Sequence, residues 1–584
     1  MAKLNQTKQI AFLSGNEAIA QGAWEAGLKV AAAYPGTPST EILETLAAHY
    51  KDIDAQWSVN EKVAYEVALG AAIGGVRSLF ACKHVGLNVA MDPLMTSSYT
   101  GIKGGFVVVV ADDPGLHSSQ NEQDSRWVAI FSKLPMLEPS SPSEAYEYTK
   151  LAYEISETFD TPVMLRSTSR VSHTKEDLET GSRIEPAPVG ELTPDIAKYV
   201  MVPKNAYAKH ILIEERLRKL AAMAEKSKLN RIEMGDKKLG FITSGVSYNY
   251  LKESFPNASF LKLGMIYPFC DKKIAQFAKS VKQLVVVEEL DPFIATHIKS
   301  LGIKITTKHP SFDIGELRPE YMADLVAGKK KKEVPATTRK PVLCRGCPHR
   351  FVFNTLRKLK FFVTGDIGCY TLAATPPMAT LHTCVCMGAG ITLHEGIRRA
   401  QPGKKIAGVI GDSTFVAAGI TGLINAVYNK VKGIIVILDN STTAMTGGQH
   451  HPATGKTIKE DPTKKLILED LVKACGVDNV DVVVPYKLDE LENLLKKRMD
   501  EDALSVIITR SPCRLIEKKY EPAPIYEREK CKACGVCLRI DCPAIHKQPD
   551  GTIEIDEFCA GCKLCVAVCP FGALKPHDKA IETK

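Results

Sequence analysis

The chain has 584 residues, of which 45% are hydrophobic and 24% are charged. This is the composition of a soluble globular protein, and the length exceeds what one hydrophobic core holds, so we expect several domains. The net charge of +8, without clustered arginines and aromatic residues, gives no sign of a nucleic-acid partner.

The N-terminal segment lacks the continuous apolar run of a signal peptide, and no later segment reaches the ~18 apolar residues of a membrane-spanning helix. We therefore expect a cytoplasmic protein without a membrane partner. In a reducing compartment, 17 cysteines favour metal ligation over a disulfide framework.

The first predicted domain covers residues 1–190. Apolar runs at 29–34, 78–82 and 105–110 alternate with helical patterns, which predicts a parallel sheet covered by helices. Ligands of such folds bind beyond the carboxyl ends of the strands. Three strand ends carry suggestive residues: Tyr34–Ser39, Lys83–Asn88 and Asp112–Gly115. A Gly- and Pro-rich turn alone is more often only a turn.

Glu61 begins a predicted helix, with Asn60 as its N-cap and small apolar residues after it. Two interpretations stay open at this point. The carboxylate is either an exposed complement of the helix dipole, or it lies where the small residues let a flat ring or another subunit approach closely.

Residues 191–234 predict a helical connector, and residues 235–330 predict a small α/β domain with strands near 239–245, 258–263 and 283–289. In this domain, Cys270 and the strand-end pair Glu288 and Glu289 allow a functional role, but a scaffold role is favoured. The lysines at 329–332 and the residues that follow them to 339 predict a solvated linker.

Residues 340–515 contain two apolar strands that each deliver a polar side chain. Gly411-Asp412 ends the first and Asp439-Asn440 ends the second, and Asp412 and Asn440 are 440 − 412 = 28 residues apart. The arrangement resembles the thiamine diphosphate motif, although Ser413 and Asp439 depart from it. Mg²⁺ prefers octahedral oxygen ligands, and Asp412, the Asn440 amide and the Thr442 carbonyl would supply three of them.

The last predicted domain, residues 521–584, contains eight of the cysteines. Two C-x2-C-x2-C runs, each closed by Cys-Pro, are the spacing of two [4Fe–4S] clusters, with the fourth cysteine of each run crossing to the other cluster. The first run has four residues before its last cysteine where the usual ferredoxin has three. The predicted ligand sets are Cys531, Cys534, Cys537 and Cys569, and Cys559, Cys562, Cys565 and Cys542. Zinc and disulfides fit this spacing poorly.

Motifs along the whole chain resemble those of the 2-oxoacid:ferredoxin oxidoreductases. They are Tyr34–Ser39, Asn60–Ala64, Lys83–Asn88, Cys344–His349, Gly365–Tyr370, Gly411–Phe415, Thr446–Gln449 and the two cysteine runs. The resemblance implies an α/β fold: two doubly wound domains of the thiamine-diphosphate-binding type (1–190 and 340–515), a small transketolase C-terminal-like α/β domain between them, and a C-terminal two-cluster ferredoxin module.

The resemblance also implies roles for individual residues. Glu61 would bond the cofactor's aminopyrimidine ring, Thr37 would lie near the substrate, and Arg126 would clamp the substrate carboxylate. Met445 stands where pyruvate-oxidising relatives place an asparagine, and its adaptable thioether suits an aromatic substituent.

Four further cysteines match the ligands of a third [4Fe–4S] cluster near the thiamine in this family: Cys344, Cys347, Cys369 and Cys513. The alternative is that they are ordinary buried cysteines. Cys384 and Cys386 are competing ligands.

The implied function is oxidative decarboxylation of aryl 2-oxoacids such as indolepyruvate, with coenzyme A and ferredoxin as acceptors of the acyl group and the electrons. The implied cofactors are thiamine diphosphate, Mg²⁺ and two or three [4Fe–4S] clusters. No domain corresponds to the family's gamma-type unit, which predicts a separate beta subunit in a heterodimer or a dimer of heterodimers. The alternatives are the same chemistry on a non-aromatic 2-oxoacid, a non-oxidative decarboxylase, and an electron-transfer subunit without its own catalysis.

Overall fold

The computed structural model of the protein describes residues 9–185, 190–332 and 341–577. The chain divides into two compact units, Met1–Pro335 and Ala336–Lys584. The predicted linker starts with the exposed Lys329 and Lys330, and its residues 333–339 lie outside the described ranges. In those ranges, no helix combines the length and the apolar composition that crossing a bilayer requires.

A seven-stranded sheet forms the larger part of the first unit. Its strands, in spatial order, are Met265–Tyr267, Met136–Leu137, Val163–Thr168, Phe106–Asp112, Ser78–Lys83, Val30–Ala33 and Asp54–Trp57. All pairs are parallel except the edge pair made by Met265–Tyr267. The central strand Phe106–Asp112 is buried along its whole length, as expected of a parallel sheet covered on both faces.

Helices flank this sheet, and local capping fixes where several begin. Ser14 forms a capping box with Glu17, and Ser141 caps a helix whose first residue is Pro142. The helices are Gly15–Glu25, Thr40–His49, Glu61–Ile73, His84–Val89, Met91–Thr100, Arg126–Ser132, Pro142–Phe159 and Ser169–His173. An antiparallel pair, Gln9–Ser14 with Lys175–Thr180, joins the two ends of the domain.

The second sheet of this unit has five strands, in the order Thr306–Thr307, Gln283–Val287, Asp236–Ser244, Ala258–Leu263 and Arg231–Glu233. Arg231–Glu233 is antiparallel to its neighbour and precedes the start predicted at residue 235. Its helices are Gly245–Ser254, Asp271–Ser280, Phe293–Ser300 and Met322–Val326, and the connector contains Ile196–Tyr199 and Pro203–Lys226. The exact domain boundaries stay predictions.

The second unit contains a fully parallel sheet in the order Phe362–Thr364, Ile406–Gly411, Gly433–Asp439, Leu504–Arg510 and Asn479–Val483. Its helices are His349–Lys358, Ala389–Ala400, Asp412–Thr414, Ile420–Tyr428, Leu468–Ala474, Leu488–Met499 and Arg514–Glu517. A π-helical turn, Phe415–Gly419, makes one continuous helix of the segments on either side of it.

The cysteine-rich end of the second unit has little regular structure. It contains two antiparallel pairs, Ile525–Tyr526 with Leu574–Lys575 and Ile545–Lys547 with Ile553–Ile555, and the helix Leu564–Val568. A small apolar core holds it to Phe351 of the parallel-sheet domain, through Ile540, Ile545, Ile553 and Leu564. The two domains of this unit therefore share packing.

Candidate functional site

Glu61 lies at the start of its helix, where Oδ1 of Asn60 accepts a hydrogen bond from the Val63 N–H (3.0 Å). The side chain is buried, because the whole residue is only 5% exposed. An exposed complement of the helix dipole is therefore excluded. Burial raises the pKa of Glu61 to about 7, against the opposing charge of Lys83. The carboxyl group is poised to hold or release a proton near neutral pH.

Gly86 makes room for this carboxyl group. A Cβ atom at residue 86 would lie 2.5 Å from Oε1 of Glu61, which is closer than any real contact. The glycine in the Lys83–Asn88 motif is thus required by the position of Glu61. Lys83 itself is buried, and its Nζ donates to the Ser118 carbonyl (2.6 Å). The motif and Glu61 form one packed arrangement.

Thr37 lines a cavity of about 360 Å³ formed by loops that follow three parallel strands. The other lining residues are Pro38, Asp113, His117, Ser118, Ser169, Arg170, His173 and Thr174. Asp113 accepts hydrogen bonds from Ser118, Ser119 and Ser169, which hold its pKa below the usual range. Arg170 forms a two-bond fork with Glu316. The cavity has the position expected for a ligand in this fold.

Arg126 lies elsewhere and is not available to a substrate. Its side chain is 1% exposed, and the guanidinium donates to Asp124, to Glu288 (2.7 Å) and to the backbone oxygens of Glu289 and Asp291. These contacts join the two sheets of the first unit. The predicted role as a clamp for the substrate carboxylate is corrected, because the donors are already used inside the protein.

We expect Arg126→Ala to destabilise the first unit by about 3–5 kcal/mol, because it leaves Asp124 and Glu288 buried without their cation. Chemical denaturation monitored by near-ultraviolet circular dichroism checks this. The control is Lys175→Ala, which removes an exposed ion pair with Glu17 and should change stability by about 1 kcal/mol or less. Normal stability combined with a raised KM for the 2-oxoacid would restore the substrate role.

Asp412 occupies the junction between the strand Ile406–Gly411 and the helix that follows it. The Ser413 N–H donates to Oδ1 and the Ser441 N–H donates to Oδ2, both at 2.8 Å. Ser441 has a φ of 60°, a left-handed conformation that non-glycine residues adopt at some energetic cost. Burial raises the pKa of Asp412, and the nearby Asp439 adds to the effect. A cation at this position would stabilise the charged form of Asp412 against both the burial and the neighbouring Asp439 charge.

Asn440 and Thr442, the other predicted oxygen ligands, are also buried. The backbone carbonyl of Asn440 accepts a hydrogen bond from the Cys513 N–H (3.0 Å), and the side-chain amide nitrogen of Asn440 lies 3.4 Å from Nε2 of His349. Asp439, which departs from the motif, is neutralised by Arg510 (2.6 Å). The departure therefore adds no unpaired charge.

The Thr446–Gln449 turn closes on itself. Thr446 donates to Oε1 of Gln449 (2.6 Å), and the Gln449 amide donates back to the Thr446 carbonyl (2.8 Å). Gly447 and Gly448, with φ of 128° and 96°, supply the backbone conformation that the turn requires. Met445, one residue before the turn, is 45% exposed and presents its thioether at the surface of this unit.

The residues around Asp412 fit a Mg²⁺–diphosphate group. The donors are hard oxygens, as Mg²⁺ prefers, and His451, buried beside Asp412, has two ring nitrogens without a hydrogen bond in the described ranges. Sequence reasoning assigned no role to His349, which it named only as part of the Cys344–His349 motif, and it did not single out His451. The histidine after Cys347-Pro348 and the His-His pair after Gln449 were the only signals for them.

Cys344, Cys347, Cys369 and Cys513 lie close enough to influence one another. Burial, with a smaller contribution from the neighbouring cysteines of the group, raises the pKa of the Cys347 thiol to about 12 and that of Cys369 to about 11. The pKa of Cys344 is raised in the same way, by burial and by the neighbouring Cys513. Cys384 and Cys386 instead influence each other and lie near Asp366. The four predicted residues thus form one group, and the competing pair stands apart.

The tail cysteines form two such groups. Cys537 has Cys534, Cys569 and Cys531 as neighbours, and all four line one cavity. Cys565 has Cys562, Cys542 and Cys559 as neighbours. These are the sets that the spacing predicts, with Cys542 and Cys569 crossing over. Among the described residues, no three His, Cys, Asp or Glu side chains converge on a single-ion site, whereas a cubane lies between its thiolates and keeps them apart.

The Cys344 group lies next to the Cys559 group. A Cβ at Gly346, between Cys344 and Cys347, would lie 2.9 Å from the Cβ of Ala560, between Cys559 and Cys562. The buried Arg350 donates to the carbonyls of Ile540 (2.6 Å) and Cys344 (3.2 Å). The loop that carries Cys344 and Cys347 and the loop that carries Cys559 and Cys562 are therefore in contact.

Comparison with known proteins decides the family. The chain is 39% identical to the indolepyruvate oxidoreductase subunit IorA of Archaeoglobus fulgidus over 97% of both chains. It is 38% identical to the IorA subunits of Methanothermobacter thermautotrophicus and Thermococcus kodakarensis, again over 97% of each chain. The chain belongs to the indolepyruvate oxidoreductase subunit IorA family.

Models of the separate domains agree with this membership. The thiamine diphosphate-binding domain of pyruvate flavodoxin/ferredoxin oxidoreductases matches residues 21–201, the C-terminal TPP-binding domain of thiamine pyrophosphate enzymes matches residues 366–509, and the 4Fe-4S binding domain matches residues 553–575. The predicted α/β fold class is confirmed. This IorA family member is an oxidoreductase subunit with thiamine-binding and iron–sulfur domains.

A 2-oxoglutarate:ferredoxin oxidoreductase from Magnetococcus marinus, solved with 2-oxoglutarate, coenzyme A and succinyl-CoA bound, is 18% identical to this chain. The superposition covers 55% of this chain and 65% of that one, with a TM-score of 0.48.

Proposed function

We propose that this IorA family member is the catalytic subunit of an enzyme that oxidatively decarboxylates aryl 2-oxoacids, with coenzyme A accepting the acyl group and ferredoxin the electrons. The observation that carries the proposal is the double attachment of Asn440. Its backbone carbonyl accepts a hydrogen bond from the Cys513 N–H, and its side-chain amide faces His349. The proposed metal site and a cysteine group therefore share this residue. A non-oxidative decarboxylase would have no use for that connection.

Thiamine diphosphate, when bound, supplies the carbanion chemistry of decarboxylation. Glu61 is assigned to hold a proton at the aminopyrimidine ring, which its buried carboxyl group with a pKa of about 7 suits. Asp412, Asn440 and Thr442 would hold Mg²⁺ and thereby the diphosphate, with Gly411 bringing the backbone close. Thr37 is assigned to the substrate side, because it lines the cavity of the first unit.

The cysteine groups would hold three [4Fe–4S] clusters, which carry single electrons when bound. The chain's own contribution is the placement of the loops: the loop between Cys344 and Cys347 lies against the Cys559 loop at Gly346 and Ala560, and Cys569 crosses to the group of Cys531. The buried Arg350 guanidinium donates to the carbonyls of Cys344 and Ile540 and so ties the Cys344 loop to the tail segment between Cys537 and Cys542. An electron-transfer subunit without catalysis would not need Glu61 or Asp412.

Aryl specificity and the partner belong to the proposal as well. Proteins of the IorA family are named for indolepyruvate, and the exposed Met445 offers a soft apolar group to an aromatic substituent. We assign the gamma-type unit to a separate beta subunit, in a heterodimer or a dimer of heterodimers.

The test is anaerobic co-purification with that beta subunit, followed by assays with indolepyruvate, phenylpyruvate, pyruvate and 2-oxoglutarate under a reduced-dye readout. We expect coenzyme A-dependent reduction with the two aryl substrates. Equal or greater activity with pyruvate or 2-oxoglutarate would overturn the aryl assignment, and aldehyde release without dye reduction would overturn the oxidative one.

We expect Asp412→Ala to weaken thiamine diphosphate binding by about 100-fold or more, because it removes both the charged metal ligand and the acceptor of the Ser441 N–H. Equilibrium binding by tryptophan fluorescence measures this, and iron analysis should show unchanged clusters. Asp470→Ala, on an exposed helix start of the same unit, is the control. Full cofactor retention in the Asp412 variant would contradict the metal assignment.

A further inference from the structure

His451 is a buried histidine whose ring makes no well-aligned hydrogen bond among the described residues. Its side chain is 4% exposed, and its Nε2 lies 3.3 Å from Oδ2 of Asp412 without the alignment of a hydrogen bond. Neither ring nitrogen makes a hydrogen bond to any described residue. A buried polar atom without a partner is destabilising and is rare in folded proteins. Nε2 has the Asp412 carboxylate within reach, whereas Nδ1 has no hydrogen bond among the described residues, which points to a missing ligand at Nδ1.

Both ring nitrogens of the adjacent His450 have hydrogen-bond partners within the protein. Nδ1 of His450 lies 3.1 Å from Oγ1 of Thr454, and Nε2 lies 2.9 Å from Oε1 of Glu460. Its side chain is 27% exposed. The two consecutive residues therefore differ in burial and in partners, which makes His450 a matched control for His451.

The surroundings of His451 determine which kind of partner its ring lacks. A neutral imidazole has one donor nitrogen and one acceptor nitrogen. Because the Asp412 carboxylate only accepts, the proton belongs on Nε2, and Nδ1 is left as an acceptor that needs a donor. Phosphate oxygens are acceptors, and Mg²⁺ prefers oxygen to nitrogen. A water molecule in the hydration shell of Mg²⁺ is a donor, and Mg²⁺ usually keeps such waters.

We propose that His451 is a further residue of the metal site, with Nε2–H donating to Asp412 and Nδ1 accepting a hydrogen bond from a water molecule of bound Mg²⁺. This inference rests on the proposed function, since it takes Asp412, Asn440 and Thr442 as the oxygen ligands. The ring fixes the carboxylate and the water relative to each other, which is how outer partners of metal ligands increase affinity.

The experiment titrates Mg²⁺ into the anaerobic full-length protein at saturating thiamine diphosphate and measures bound cofactor. The variants are His451→Leu, which fills the space without hydrogen bonds, His451→Gln, whose amide has both a donor and an acceptor, and His450→Ala. We expect the apparent Mg²⁺ affinity to fall about 10–100-fold in His451→Leu, to fall less in His451→Gln, and to stay unchanged in His450→Ala. Saturating Mg²⁺ should restore full occupancy, because the three oxygen ligands remain.

An unchanged Mg²⁺ affinity in His451→Leu would overturn the inference while leaving the proposed function intact. Cofactor loss that saturating Mg²⁺ does not restore, in both His451 variants with full iron content, would overturn it too, since the residue would then act on the diphosphate or only on the fold. If the leucine variant fails to retain iron, the glutamine variant decides: a fall of less than about 10-fold that saturating Mg²⁺ restores supports the inference, and an affinity equal to wild type or a loss of about 100-fold overturns it. Wild-type protein that binds no thiamine diphosphate at any Mg²⁺ concentration overturns the proposed function itself.

Discussion

Replacing Glu61 with glutamine is expected to lower turnover by about 10²–10⁴-fold while thiamine diphosphate stays bound. The amide fills the same buried space beside Gly86, because glutamine has the shape of glutamate. It has no proton to exchange near neutral pH, and therefore loses the acid–base contribution. Steady-state rates with an aryl 2-oxoacid and cofactor binding by fluorescence, measured on the same preparation, check the two halves of this result.

The same substitution should make the cofactor-free protein more stable at alkaline pH. The pKa of Glu61 is raised from 4.5 to about 7 by burial, so the folded protein holds the proton more tightly than the unfolded chain. The stability that this group contributes is present below about pH 4.5 and is lost as the pH rises through about 7. At pH 8 the buried carboxylate costs on the order of 3 kcal/mol, which Glu61→Gln removes, whereas near pH 4 the two proteins should be equally stable.

Glu66→Gln is the control for both measurements. Glu66 lies on the same helix, is exposed, and forms an exposed ion pair with Lys62, so its loss should change stability by about 0.5 kcal/mol at any pH and leave turnover normal. Near-normal turnover of Glu61→Gln, or a stability difference that does not depend on pH, would contradict the assignment of Glu61.

The sequence predicts those parts of the molecule that have a local signal. The buried strands Phe106–Asp112 and Gly433–Asp439 are continuous apolar runs, and the Asn60 cap is a short-range motif that the structure contains as expected. The edge strand Met265–Tyr267 could not be predicted, because it joins a sheet whose other strands end at least 265 − 168 = 97 residues earlier in the chain. Pairing over that separation leaves no local pattern.

The site divides in the same way. The spacing of Asp412 and Asn440 on strand ends gives their proximity, because neighbouring parallel strands end at one edge of a sheet. The role of Arg126 depends on Glu288 and Glu289, which a different domain supplies, so the sequence around it could not exclude substrate binding. His349 and His451 carry no diagnostic spacing, and only their burial beside Asn440 and Asp412 separates them from ordinary core histidines.

The electron path is better tested by single cysteines than by deletion of the tail. Phe351 packs against Ile540, Ile545 and Leu564, and Arg350 donates to the Ile540 carbonyl. Deletion of residues 521–584 would therefore expose apolar surface and deprive the buried guanidinium of its acceptor at Ile540. A loss of activity in such a protein would not distinguish a missing conduit from a damaged fold.

Cys534→Ala, in the group that lies furthest from Asp412 along the sequence of loop contacts, is expected to remove one cluster and abolish ferredoxin reduction. Cys534 is exposed, so its replacement should leave the fold intact, and iron content should fall by about four atoms per chain. Thiamine diphosphate binding and one turnover of CO₂ release from an aryl 2-oxoacid should persist, because Glu61 and Asp412 lie in other domains. Cys475→Ala, which belongs to none of the three groups, is the control and should keep full iron and full ferredoxin reduction. If Cys534→Ala loses its cluster and still reduces ferredoxin at the wild-type rate, electrons leave by another group and this path is wrong.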